Sequence, residues 1–257
     1  MSTEYYLDAV SGNGPSGEYS IALHGRNAAV STSYVPVSVG GVYQTPQVAS
    51  GTKLRVKAGN TNDTAAGSGA RKIFLSGVTT TGEHVYEELA TAGTSASADS
   101  VNTYIRLIQA GVAASGSYAT ISAGSHAADI LIENAAGGTT WGTISSTGYP
   151  RGVTEIGAYT VPAGKQAYIM SIHYAFDTAQ TLSLLLFQRD GILKTSAPYS
   201  PMNQIFTMTT GALVGEQSFQ IPPGPFGPLT DLGTLAKMSS STSEVHVSLE
   251  ILVRNQE

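Results

Sequence analysis

The chain has 257 residues, a formal net charge of −5, no cysteine and only 12% charged residues. Those totals exclude a disulfide-stapled secreted domain, thiolate metal sites and cysteine nucleophiles. A mild acid balance without any run of Lys or Arg argues against a nucleic-acid partner. Hydrophobic content of 41% is enough for a real core, and the length fits one large or two ordinary domains at roughly 100–200 residues each. No apolar stretch approaches the roughly 18 residues of a membrane-spanning helix. The opening Met1-Ser-Thr-Glu-Tyr-Tyr-Leu-Asp8 lacks the basic region and long apolar run expected of a signal peptide.

Residues 1–50 read as an N-terminal arm with edge strands. Gly12-Asn-Gly-Pro-Ser-Gly17 is a turn cluster, followed by a short strand over Tyr19–Leu23. Pro36 and Pro46 keep later strands here short or at an edge. Tyr5, Tyr6 and Leu7 stand ahead of the turn cluster, too few to form a core and apolar enough to seek a neighbour; they are the candidate interaction residues.

Residues 51–148 predict a first β-sandwich-like domain. Leu54, Val56 and Ala58 alternate with Lys53, Arg55 and Lys57, the mark of a half-buried strand. Asn60 to Gly69 is a polar loop of small residues. Arg71–Val78 and His84–Thr91 predict a hairpin across Thr79-Thr-Thr-Gly82. Further strands are expected at Tyr104–Val112, Tyr118–Ser122, Asp129–Asn134 and Trp141–Ile144, with Trp141 partly buried at a sheet end.

Residues 149–257 predict a second such domain. Tyr168, Met170, Ile172, Tyr174 and Phe176 should share one strand face, with Ile169, Ser171, His173 and Ala175 on the other. Leu182–Gln188 is continuously apolar, as a central strand would be. Pro222, Pro223, Pro225 and Pro228 make Gln220–Thr230 a loop or edge. Val245, Val247, Leu249, Ile251 and Val253 form a closing core face, with Glu244, His246, Ser248 and Glu250 outward. Many short strands with regular turn signals predict an all-β fold of two β-sandwich or jelly-roll-like domains and an extended N-terminal arm.

The chemistry-bearing residues are sparse. His24, His84, His126, His173 and His246 are scattered without a zinc spacing. His84 beside Glu83, Glu87 and Glu88 is the densest polar cluster and reads as a solvated sheet face or subunit contact, with a metal or acid–base site as its alternative. Asn60, Asn62 and Asp63 could offer oxygens to calcium, which wants several carboxylates. A tight loop bonded to itself is the preferred account of Asn60–Arg71, since Asn and Asp side chains satisfy nearby backbone. A phosphate cradle would need a following helix, and Ile73-Phe-Leu75 reads as strand. No Gly-x-Ser-x-Gly elbow occurs, and Asp177, Asp190 and Asp231 sit in turn-like contexts where capping is the ordinary role. With 13 tyrosines and a single tryptophan, the surface favours adaptable contacts over a tryptophan sugar platform. No catalytic, metal or cofactor site is expected.

A family resemblance enters through three stretches. They are Val56-Lys-Ala-Gly-Asn-Thr-Asn-Asp-Thr-Ala-Ala-Gly-Ser-Gly-Ala-Arg-Lys-Ile-Phe-Leu-Ser-Gly-Val78, then Thr80-Thr-Gly-Glu-His-Val-Tyr-Glu-Glu-Leu-Ala-Thr-Ala-Gly93 with Tyr104-Ile-Arg106, and Ile156-Gly-Ala-Tyr-Thr-Val-Pro-Ala-Gly-Lys-Gln-Ala-Tyr168. In this order, across residues 52–255, they resemble a group of tailed-bacteriophage virion structural proteins common in phages of aquatic bacteria. The resemblance implies a non-enzymatic particle component such as a capsid decoration (cement) protein, located in the virion and assembled in the host cytoplasm. Its expected partners are the major capsid protein or other virion proteins, with no nucleic acid and no membrane. Open sandwich edges need cover, so a homo-oligomer, a trimer at local three-fold sites, is expected. The alternatives are a tail or fibre-associated protein that binds a host surface glycan, and a head–tail or baseplate component.

Overall fold

A computed structural model describes residues 17–39, 51–147, 151–194 and 196–256. Among them every regular element is a strand, so the protein is all-β. In chain order come β1 (Tyr19–Val30) and β2 (Val35–Pro36), then β3 (Leu54–Ala58), β4 (Ala70–Thr79), β5 (His84–Ala90), β6 (Tyr104–Ser115), β7 (Ile130–Asn134) and β8 (Thr140–Ile144). The remainder are β9 (Ala158–Thr160), β10 (Lys165–Phe176), β11 (Leu182–Arg189), β12 (Asn203–Thr210), β13 (Val214–Ser218), β14 (Asp231–Met238) and β15 (Ser243–Asn255).

These strands divide into two compact units. One takes the described residues up to Ser38 together with those from Gly157 onward, and the other those from Val39 to Ile156. The second unit is therefore inserted between β2 and β9 of the first. The expected tandem of 51–148 and 149–257 behind a separate 1–50 segment differs from this arrangement in its first part. Tyr19–Val30 is a full strand paired along β15, seven residues longer than the expected Tyr19–Leu23. The reason is non-local: β15 supplies the partner ladder, and no signal within 24–30 announces it.

In the first unit, one antiparallel sheet runs β1-β15-β10-β13 and the other β12-β11-β14-β2, with β9 also on β14. The C-terminal alternation holds. Val245, Val247, Leu249, Ile251 and Val253 are buried, while Glu244, His246, Ser248 and Glu250 are only half-buried on the opposite face. Burying each such aliphatic side chain is worth roughly 1.5–3 kcal/mol. Leu182–Arg189 is central as expected, flanked by β12 and β14.

On β10 the expected single face fails. Ala167 and Ile169 point inward, but so do Ile172, Tyr174 and Phe176. The register against β15 shifts between Ile169 and Ser171. Met170 is the extra residue of a β-bulge, and one extra residue exchanges the faces of everything after it. Asp231 is another correction. It opens β14 fully buried, where its Oδ2 meets Arg189 Nη2 at 3.0 Å and its Oδ1 accepts the Thr160 hydroxyl at 2.7 Å. It is half of an internal ion pair rather than a turn cap.

Gly25 and Gly157 mark a close crossing in this unit. A Cβ on Gly25 would lie 2.2 Å from the Val37 carbonyl oxygen and 2.7 Å from Gly157 Cα, and Gly157 itself has φ +62°. Only glycine fits both places.

In the second unit, three-stranded antiparallel sheets run β5-β4-β6 and β3-β7-β8. The β4–β5 hairpin forms where it was expected. Tyr118–Ser122 is a turn instead of a strand. Trp141 is 1% exposed, deep in the core rather than partly buried.

Candidate interaction surface

β12 reads Asn203-Gln-Ile-Phe-Thr-Met-Thr-Thr210, rich in the β-branched and aromatic residues that favour strands. Among the described residues it is hydrogen-bonded on one side only, to β11. Its inward residues close the end of the sandwich. Phe206 meets Phe219 edge-on with ring centroids 5.2 Å apart, and the Tyr174 hydroxyl donates to Thr210 Oγ1 at 3.2 Å. Thr207 and Thr209 face outward and are exposed. The chain then turns through 211–213 and returns as β13, the edge of the other sheet, on β10. Two sheet edges thus share one side of the first unit.

Exposed apolar groups are concentrated in the stretch of chain that carries these two edges. Ten large hydrophobic residues are exposed among those described, and six of them, Leu193, Tyr199, Met202, Leu213, Val214 and Ile221, fall between 193 and 221. Val214 is 71% and Ile221 88% exposed. Scattered single apolar residues are normal on a surface; a concentration beside open strand edges marks a contact region. The sequence does not announce it, because β13 has no apolar alternation and β12 alternates only over Phe206–Thr209.

A second cluster lies on the outer face of the β1-β15-β10-β13 sheet. Register places His24 opposite Ser248, Ser248 opposite His173, and His173 opposite Glu216, one row across four strands. His24 Nδ1 and Ser248 Oγ are 2.6 Å apart. His173 Nδ1 lies 3.8 Å from Glu216 Oε2. One rung away, His246 Nε2 is 2.8 Å from Glu244 Oε1, whose other oxygen is 3.4 Å from Arg26. A shallow hollow of about 150 Å³ lies among His173, Tyr174, Ala175, His246 and Ser248. Three of the five histidines converge here from distant positions, which their spacing along the chain did not foretell. Each already engages a hydroxyl or carboxylate, as on a solvated sheet face.

In the second unit the polar clusters of the sequence serve the fold. Glu87 faces away from His84. Its carboxylate accepts the Val101 and Asn102 amides at 2.8 and 3.2 Å, the Asn102 side chain at 3.1 Å and the Tyr104 hydroxyl at 2.7 Å. Burial alone would raise its pKa, but these bonds hold it below the usual carboxylate value. The same carboxylate, after burial, keeps the Tyr104 phenol far above its usual range. His84 bonds to Ser76 Oγ at 2.8 Å, and Lys72 pairs with Glu88 at 3.1 Å. Beside them Phe74 and Tyr86 stack at 5.6 Å, with Tyr86 60% exposed.

The Asn60–Arg71 loop is bonded to itself. Asp63 is fully buried, and its Oδ1 accepts the amides of Ala70 at 2.8 Å and Ala127 at 2.9 Å, while Oδ2 accepts those of Ala127 and Ala128, both at 3.2 Å. Both oxygens face amide donors, so the carboxylate that the calcium reading needs is turned to the backbone. The loop leads into the strand β4, so the helix that a phosphate cradle requires is missing there. Among the described residues, no group of three or more His, Asp or Glu has the arrangement to hold a metal ion, and no helix is long and apolar enough to cross a membrane. Tyr5, Tyr6 and Leu7 lie outside the described residues.

No family model, curated protein or solved structure matches the chain.

Proposed function

We propose that this chain is a non-enzymatic bacteriophage virion structural protein, a capsid decoration (cement) protein that adheres to the assembled shell as a homo-oligomer. The observation that carries this reading is the strand order of the first unit. Sheets ordered β1-β15-β10-β13 and β2-β14-β11-β12, with the chain passing repeatedly between them, support a reading as two interlocked Greek keys, the jelly-roll plan common to viral capsid and lectin domains. Long ladders locked by hydrogen bonds, and polar clusters spent on structure, suit a mechanical role. Binding the assembled shell but not loose subunits would stabilise the shell by mass action. The partner is the major capsid protein, with Tyr5, Tyr6 and Leu7 as the proposed anchor.

The test is to add the purified protein to shells stripped of it and to unassembled capsid subunits. Saturable binding to shells alone, with a raised rupture temperature, supports the reading; equal binding to subunits, or none to shells, refutes it. A second reading, a tail-associated binder of a host surface glycan, is favoured by the exposed Phe74–Tyr86 stack beside Lys72, Glu88, Ser76 and His84. Host polysaccharide that binds wild type and not Tyr86→Ala would favour it. A head–tail or baseplate component differs from both in location.

A further inference from the structure

Natural sheets protect their open edges with charge, proline, bulges or very short strands. Most described edges of this protein follow that rule. β1 carries Arg26 and a register shift near its end, β13 carries Glu216, β5 carries Glu87 and Glu88, and β2 is two residues with Pro36; β3 and β6 are partly covered, by main-chain bonds to Gly93 and Ser97 and to Gly152 and Thr154. β8 is uncharged but partly covered: the Thr143 amide bonds the Val39 carbonyl, and Ile144 bridges Thr154. β12 is the least protected, with one bulge at its start as its only such device. It has eight residues, none of them charged and none proline. Its one irregularity against β11 leaves Ile205 as the extra residue and Phe206–Thr210 in regular register.

We infer that the open edge of β12 pairs with β12 of a second copy of this chain, antiparallel about a two-fold axis, extending the β12-β11-β14 sheet across both copies. This rests on the homo-oligomer reading above and names its contact. The choice of occupant comes from self-complementarity. An isologous contact sets each residue against its own symmetry mate or a near neighbour, and like charges directly opposite destabilise a strand pair. A centre at Thr207 sets Phe206 against Met208 and Ile205 against Thr209, with no charge opposed. The same operation on β13 would set Glu216 against Glu216. A neutral edge without a partner strand among the described residues also supplies what strand addition needs, a row of main-chain donors and acceptors. The flanking Met202, Leu213 and Val214 then lie beside the new interface instead of in open water. A trimer would need two different edges to meet, so this contact favours an even-numbered assembly over the three-fold one expected from sequence.

The experiment uses Thr207→Lys/Thr209→Lys and Thr207→Glu/Thr209→Glu variants of the full chain. Both positions are exposed, so circular dichroism should match wild type. In sedimentation at about 50 µM, a concentration that resolves micromolar association, wild type should run at an even multiple of the chain mass. Each variant alone should run at half the wild-type mass. An equimolar mixture should recover the wild-type mass through Lys–Glu pairs, because two-fold pairing about Thr207 sets residue 207 against its own mate and residue 209 diagonally across from it. Monomeric wild type, a lysine variant that keeps its mass, or a mixture that fails to reassociate would each overturn the inference. None of those results would change how much of the chain a particle carries, so failure here is separable from failure of the virion reading.

Discussion

Asp63 holds Ala127 across 64 residues of sequence: its Oδ1 accepts the Ala127 amide at 2.9 Å while also accepting that of Ala70. One carboxylate thereby ties the loop after β3 to the segment before β7. Asp63→Ala should destabilise the second unit by at least about 2 kcal/mol, because several amides lose their acceptor and an unmet buried donor costs about 1–3 kcal/mol. Gly69→Ala should also destabilise it, since its Cβ would fall 2.1 Å from the same oxygen. Urea unfolding of both variants checks this; wild-type midpoints would show that the loop is held by something else.

Burial pushes the His126 imidazole below its usual value, with Asp63 and Asp129 pulling the other way. The folded state therefore holds a neutral ring that the unfolded chain protonates more readily. Stability from this group is present above the unfolded value of about 6.5 and is lost as pH falls through the lower folded value. Denaturant unfolding at pH 8 and pH 5 should show a larger acid loss for wild type than for His126→Asn. Equal losses would remove His126 from the account.

Leu249 and Ser248 are chain neighbours on opposite faces of β15, one fully buried and one facing outward. Leu249→Asp should prevent folding, since a lone carboxylate would sit in apolar packing; Leu249→Ala should cost about 2–5 kcal/mol. Ser248→Asp should fold, beside His24 and His173. Soluble yield and circular dichroism decide it, and equal damage from the two aspartates would mean that β15 is buried on both faces.

The buried Arg189–Asp231 pair should be costly to break and cheap to replace. Asp231→Asn alone should lose about 3–5 kcal/mol, while Arg189→Met with Asp231→Leu should lose much less, because no charge is stranded. Thermal unfolding of the single and double variants measures the difference. A double variant worse than the single would show that the pair itself is a net source of stability.

What was legible in the sequence was what is local. β15, β3 and the β4–β5 hairpin declare themselves by alternation and by Thr79-Thr-Thr-Gly82, since period 2 and turn chemistry are properties of adjacent residues. The Asn60–Gly69 composition announced a loop bonded to itself, but not that Asp63 would reach Ala127. Met170 shows no mark of a bulge, because a register shift exists only against a partner strand. β14 is buried on nearly every residue and does not alternate, and β12 alternates only over Phe206–Thr210, too short a run to announce a strand. The convergence of His24, His173 and His246 depends on the pairing of β1 and β10 with β15, and strand order is the least local property of a sheet protein. Tyr5, Tyr6 and Leu7 fall outside the described residues.

The central claim is that the chain is an abundant part of a virion shell. Quantitative mass spectrometry of density-purified particles, produced by the genome that encodes it, tests this directly. The account predicts on the order of hundreds of copies per particle, in fixed ratio to the major capsid protein, as closed shell symmetry requires. About a dozen copies or fewer, the number a single ring at a tail or connector would hold, or no copies at all, would contradict it.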